Sequence, residues 1–224
     1  MFEAVIFDLD GLMIDSEPLW REVESRIFSA NGIPVTIDDC AQTMGLRIDE
    51  AIHFWKKKFP RVSLDVEKLQ LEIIFEVKQL IEEKGEALPG VLSAINLLKQ
   101  ENIRLGLASS SSRELIDAVL NRFKLVDHFE VVCSAEDEKR GKPSPDVYLS
   151  TIEKLNLPAT EVLALEDSSS GVCSAKAASL SCICIPGEFT DPTKLTVDLV
   201  INSLEELSVE LLESVYSQRH ITRA

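Results

Sequence analysis

Asp8 and Asp10 stand one residue apart, directly after the apolar run Ala4 to Phe7 and just before Gly11. Two carboxylates this close repel each other unless a counter-charge neutralises them. A divalent cation does so through oxygen ligands, which leaves one carboxylate to attack and its neighbour to move a proton. Turn chemistry accounts for one aspartate and the glycine, but poorly for the second aspartate. A second acidic pair, Glu166-Asp167, follows the apolar run Val162 to Leu165. Helix capping explains one of these two more easily than both.

Two segments between the acidic pairs suit an anion. Ser109 to Ser112 places four hydroxyls between an apolar run and a helical pattern. Hydroxyls and free backbone N–H groups there bind phosphate, although plain N-capping needs only one serine. Lys142 is held between Gly141 and Pro143. A lysine so constrained is a candidate clamp for a phosphoryl group, evenly weighed against a solvated loop lysine.

The elements that position these residues are legible as short apolar runs. They are Ala4 to Phe7, Arg104 to Ala108, Glu130 to Cys133, Val162 to Leu165, Cys182 to Ile185 and Leu199 to Ile201. Helical spacing fills the intervals, as in Leu115, Ile116, Val119, Leu120 and Phe123, then Pro145 to Leu155, then Ser169 to Ser179. Strands alternating with helices predict an α/β fold, a doubly wound parallel sheet of Rossmann-like kind. In such sheets the site lies outside the carboxyl ends of the strands, so all four segments converge on one crevice. One stretch breaks the alternation. Residues 16–87 carry only helical spacing and predict an inserted helical cap domain, with residues 1–15 and 88–224 forming the core. A helical lid on two short linkers can open and close over a site. Past Leu212 the chain turns polar, and the expectation is that it frays.

Composition narrows the partners. A net charge of -15 argues against nucleic acid and against anionic membrane surfaces, yet permits a small phosphorylated substrate that needs only local cations. The five cysteines include no Cys-x-x-Cys spacing, and most have apolar neighbours, so reduced, buried thiols are expected. No apolar run is long enough to span a membrane, and no leader pattern precedes the first strand, which together point to the cytoplasm. The expected partner is a small phosphorylated metabolite, and the expected state is a monomer.

Asp8-x-Asp10-Gly11, Ser109, Lys142 and Glu166-Asp167, in this order, resemble the four motifs of the haloacid dehalogenase superfamily. The resemblance covers the whole chain, because the helical insertion is similar in place to the cap of that family. It implies a Mg2+-dependent phosphatase acting through an aspartyl phosphate. Carried over, Asp8 is nucleophile and metal ligand, while Asp10 is general acid/base and binds metal through its backbone carbonyl. Ser109 and Lys142, with Ser110, hold phosphate; Asp167 with Glu166 completes the metal site. Asp10 sets the chain apart from the dehalogenases, which lack it, and from the transport ATPases, which carry Thr. The segments from Asp15 to Trp20 and from Gly45 to Asp49 are similar to those of bacterial sugar-phosphate phosphatases. Arg47 would then face the crevice from the cap, an expectation weighed equally against a surface arginine. The alternatives are a beta-phosphoglucomutase-like isomerase, disfavoured because Trp20 stands where that family has a cap histidine, and a catalytically inactive ligand-binding relative.

Overall fold

The computed structural model describes residues 1–221. Six strands form one parallel sheet: β1 Ala4–Phe7, β2 Arg104–Ser109, β3 Val131–Ser134, β4 Val162–Glu166, β5 Ser181–Cys184 and β6 Leu199–Val200. Their order is β3-β2-β1-β4-β5-β6, and every neighbouring pair is parallel. The order reverses between β1 and β4, which makes the gap at their carboxyl ends the switch point where doubly wound sheets bind ligands.

β1 is apolar and buried along its whole length, as a central parallel strand covered on both faces must be. Its alternate residues feed two cores. Val5 and Phe7 join Leu105, Leu107, Leu163 and Leu165 on one face, and Ala4 and Ile6 join Ala108, Val162 and Ala164 on the other. The helices that cover the sheet are α4 Val91–Gln100, α5 Arg113–Phe123, α6 Asp146–Leu155, α7 Ser169–Ala177 and α8 Val209–Ile221.

Between β1 and α4 lie three helices and no strand: α1 Glu17–Ala30, α2 Ile48–Lys58 and α3 Val66–Lys84. Asp65 caps α3, accepting from the Lys68 N–H at 3.1 Å. Leu19, Val23, Ile27, Trp55, Leu69 and Ile73 are buried between these helices. The two connections into this bundle run side by side. Asp15 donates its N–H to the Glu86 carbonyl at 3.1 Å, and Leu88 donates to Met13 at 3.1 Å. The bundle also leans on the sheet layer, where α3 packs against α5 and Lys78 pairs with Glu114 at 2.6 Å.

Two sequence expectations need correction. The chain does not fray past Leu212: α8 continues to Ile221, and Leu212 and Val215 are buried. Those two residues with Tyr216 make one apolar face, and Tyr216 meets Phe2 edge to face at 5.1 Å. Four cysteines are buried, but Cys173 is exposed on α7. No helix among the described residues is long and apolar enough to cross a membrane.

Candidate active site

The register of the sheet brings the chemistry level. Phe7 pairs with both Leu107 and Leu165, so Asp8, Ser109 and Glu166 emerge within one or two residues of the same line. Gly11 then turns the chain with φ 76°, in the left-handed region, and a Cβ there would lie 2.2 Å from Asp167 Oδ2. Gly171, in the first turn of α7, is required for a second reason, since a Cβ would sit 1.9 Å from Glu166 Oε2. Both glycines let backbone close onto a carboxylate that a larger residue would displace.

Asp8, Glu166 and Asp167 are all buried, and one oxygen from each lies within 4.8 Å of the others. Lys142 is the cation among them, 2% exposed. Its Nζ donates to Asp8 Oδ1 at 2.7 Å, to Glu166 Oε1 at 2.7 Å and to the Ala108 carbonyl at 2.9 Å. Tyr148, from α6, donates to the same Glu166 oxygen at 2.6 Å. Burial pushes the Asp8 carboxyl up to about 7, with the Lys142 ammonium opposing and Glu166 adding. Burial, followed by Asp8 and Glu166, holds Asp167 well above the carboxylate range. Burial pulls the Lys142 ammonium down, but Asp8 and Glu166 outweigh it and leave it above its ordinary value.

Three buried carboxyls against one ammonium leave the cluster short of positive charge. Glu166 Oε2 and Asp167 Oδ1 are, in addition, buried oxygens with no hydrogen-bond donor. Oxygen-only donors at this spacing, two of them unsatisfied, fit a hard divalent cation such as Mg2+. Asp8, Glu166 and Asp167 are the residues that would hold it.

Asp10 is held differently. Its Oδ1 accepts from the Ser16 hydroxyl at 2.6 Å and the Trp20 indole N–H at 3.1 Å, and its Oδ2 accepts from the Ser111 hydroxyl at 2.6 Å. Ser16 and Trp20 belong to the linker and first helix of the insert, so the position of the helical bundle is tied to this carboxylate. The serine loop is ordered in the same way. Ser109 Oγ accepts from the Ser111 N–H at 3.0 Å, and Ser134 donates to the Ser111 carbonyl at 2.6 Å. Ser110 reaches across to the insert, donating to the Gly45 carbonyl at 3.0 Å.

One cleft joins these groups. Asp8, Asp10, Ser109, Ser110, Lys142 and Asp167 form its floor, and residues of α1 and of the segment 43–48 form its roof. Arg47 does not share it. Its guanidinium turns to the core backbone, donating to the Ala135 carbonyl at 2.8 Å and the Glu138 carbonyl at 2.9 Å, while Asp49 pairs with it at 2.6 Å. Carbonyls and an adjacent carboxylate satisfy a planar five-donor group that an open crevice would leave unpaired. The expectation that Arg47 faces the crevice is therefore corrected for this structure.

Residues 5–185 match the haloacid dehalogenase-like hydrolase family. The chain belongs to that family. Hexitol phosphatase B of Escherichia coli K12 is 36% identical over 210 residues, covering 92% of this chain and 95% of the relative. The phosphorylated carbohydrates phosphatase of Thermotoga maritima is 35% identical over 179 residues, covering 80% and 82%. The crystal structure of beta-phosphoglucomutase from Clostridium difficile superposes with a TM-score of 0.87 at 24% identity, covering 99% of this chain and 100% of that one, a likeness of fold. The first two of these are named as phosphatases, consistent with a phosphoric monoester hydrolase.

Sequence reasoning missed Tyr148, and missed that Ser16, Trp20 and Ser111 bond to Asp10. Tyr148 lies mid-helix in an ordinary amphipathic pattern, so nothing in its spacing marks it. Ser111 was legible only as one of four serines. Ser16 and Trp20 become visible once the linker folds back over Asp10.

Proposed function

We propose that this hydrolase cleaves phosphate monoesters of sugars or sugar alcohols, with Mg2+, through a phosphoryl group carried on Asp8. The observation that carries the reading is the buried Lys142 bridge from Asp8 to Glu166, beside two unsatisfied carboxylate oxygens. The ammonium faces the place where a phosphoryl oxygen would lie, and it holds Asp8 in one orientation. Ser109, whose oxygen already accepts from the Ser111 N–H, keeps its hydroxyl proton to donate to a second phosphoryl oxygen. Asp8 attacks phosphorus, and the ester oxygen leaves as an alcohol once Asp10 gives it a proton. Asp10 then takes a proton from the water that releases phosphate from Asp8. Mg2+, held by Asp8, Glu166 and Asp167, would supply charge neutralisation for the phosphoryl oxygens. The insert roof over the floor excludes bulk water and strengthens every charge contact beneath it.

Trp20 rather than a histidine lies against Asp10, which favours hydrolysis over the isomerase alternative. The names of the two phosphatase relatives support sugar or sugar-alcohol phosphates as the class. The reading takes the enzyme as a cytoplasmic monomer of core (1–15, 88–224) and cap (16–87). The experiment is phosphate release from a panel of sugar and sugar-alcohol phosphates, with Mg2+ and with excess chelator, for the native protein and Asp8→Asn. Release that needs both Mg2+ and Asp8 is the expected result. Equal release in chelator, or by Asp8→Asn, refutes it.

A further inference from the structure

The roof of the cleft carries charge of the opposite sign to the one a phosphate needs. Four residues of α1 line it: Glu17, Trp20, Arg21 and Glu24. Their spacing of three, four and seven puts them on one helix face. Trp20 bonds to Asp10 and so marks the catalytic end. Glu24 lies one turn further on, about 6 Å along the axis at 1.5 Å per residue. It lines the same cleft one helical turn beyond the residue that touches Asp10.

Glu24 is only 8% exposed, yet no N–H or hydroxyl among the described residues donates to it, and the Cys40 thiol beside it turns to the Thr36 carbonyl at 3.4 Å. A thiol is a weak donor. A buried carboxyl with so little satisfaction costs stability, and an apolar residue would fill this face of α1 at lower cost. Burial, then the neighbouring Glu17, pushes its carboxyl up to about 8. Glu17, half-buried near Asp10, is pushed up to about 7, by burial first and Asp10 second. The one cation on this face is Arg21, which already meets Glu188 at 3.4 Å and stacks over Phe189 at 4.8 Å.

We propose that Glu24 reads the hydroxyls of the substrate's non-phosphorylated end, so the enzyme takes monophosphates whose far end is an uncharged polyol. It rests on the phosphatase reading above and narrows it. Carboxyl oxygens accept hydrogen bonds from vicinal hydroxyls, and in the protonated form also donate one. A second phosphate or a carboxylate at the same place would bring an anion against a buried carboxyl, with Arg21, paired to Glu188 at 3.4 Å, as the cation on this helix face. Sugar bisphosphates and phospho-acids are therefore disfavoured by charge, the more so as pH rises through about 8 and Glu24 ionises.

The test compares kcat/KM on four compounds: a hexitol monophosphate, a hexose bisphosphate, phosphoglycolate and acetyl phosphate. Acetyl phosphate reports the floor alone. The variants are Glu24→Leu and Glu24→Gln, with Tm recorded for each. For Glu24→Leu the expected loss on the hexitol phosphate is about tenfold or more, the worth of one or two hydrogen bonds at 1.4 kcal/mol per decade. Acetyl phosphate turnover stays within about twofold and Tm does not fall. Glu24→Gln, which keeps both a donor and an acceptor, restores part of the hexitol rate. The preference for monophosphate over bisphosphate shrinks in both variants. Parallel losses on hexitol and acetyl phosphates, or a native enzyme that prefers the bisphosphate, overturns the subsite while leaving the phosphatase reading standing. A native protein that hydrolyses none of the four overturns both.

Discussion

Glu24→Gln should stabilise the protein at alkaline pH and do little near pH 5. The carboxyl has an ordinary value of 4.5 and is pushed up to about 8, with burial the first cause and Glu17 the second. Because the folded state holds this proton more tightly than the unfolded chain, stability falls as pH rises from 4.5 through about 8. At 1.36 kcal/mol per pH unit, that interval is worth roughly 5 kcal/mol as an upper limit. Water in the cleft can reach the 8% of Glu24 that is exposed, and screening should reduce the effect to about 2–3 kcal/mol. For a chain of 224 residues each kcal/mol moves Tm by about 2–4 °C, so the variant should gain roughly 5–10 °C over the native protein at pH 9. Any cost of burying an amide is the same at both pH values and cancels in the comparison. The assay is thermal unfolding of both proteins at pH 5 and pH 9, at one Mg2+ concentration. An equal Tm gap at the two pH values would refute the reasoning, because it would mean that Glu24 ionises freely in the folded state.

The other perturbations address the floor of the cleft and its links to the roof. Lys142→Met removes the only cation among three buried carboxyls, so in chelator it should cost about 3–5 kcal/mol in urea unfolding and abolish phosphate release. Undiminished stability would mean the carboxyls are neutral without it. Asp10→Asn should slow alkyl phosphates far more than the first step with a nitrophenyl ester, whose leaving group departs without a proton. Equal first-step losses in a burst assay would remove Asp10 from the acid role. Arg47→Ala frees the Ala135 and Glu138 carbonyls, in the loop that leads to Lys142. It should lower kcat on hexitol and acetyl phosphates alike; a loss confined to the hexitol substrate would return Arg47 to substrate recognition.

The fold was legible because buried parallel strands are short apolar runs and little else produces them. β1 was read to the residue, and the other strands to within one or two positions. Asp8, Lys142, Glu166 and Asp167 were legible for a related reason: each follows a strand or a constrained turn at the end of the sheet where sites form. The residues that satisfy them were not. Tyr148 donates to Glu166 from the middle of α6, and a tyrosine on an apolar helix face reads as core. The sequence leaves Arg47 evenly balanced between the crevice and the surface, because its carbonyl partners at Ala135 and Glu138 lie about ninety residues away and carry no sequence mark. The chain past Leu212 reads as frayed because its outward side chains are polar, while Leu212 and Val215 are buried in a helix that packs against β5, an element distant in sequence.

The central claim is that phosphorus passes through Asp8. A hexitol phosphate labelled in its phosphoryl group, mixed with enzyme and Mg2+ and quenched in acid during turnover, tests it most directly by peptide mass spectrometry. The account predicts one phosphoryl group on the peptide that contains Asp8, removed by mild alkali and absent from Asp8→Asn. Steady turnover with no protein-bound phosphoryl at any quench time, and with Asp8→Asn as active as the native enzyme, would contradict it.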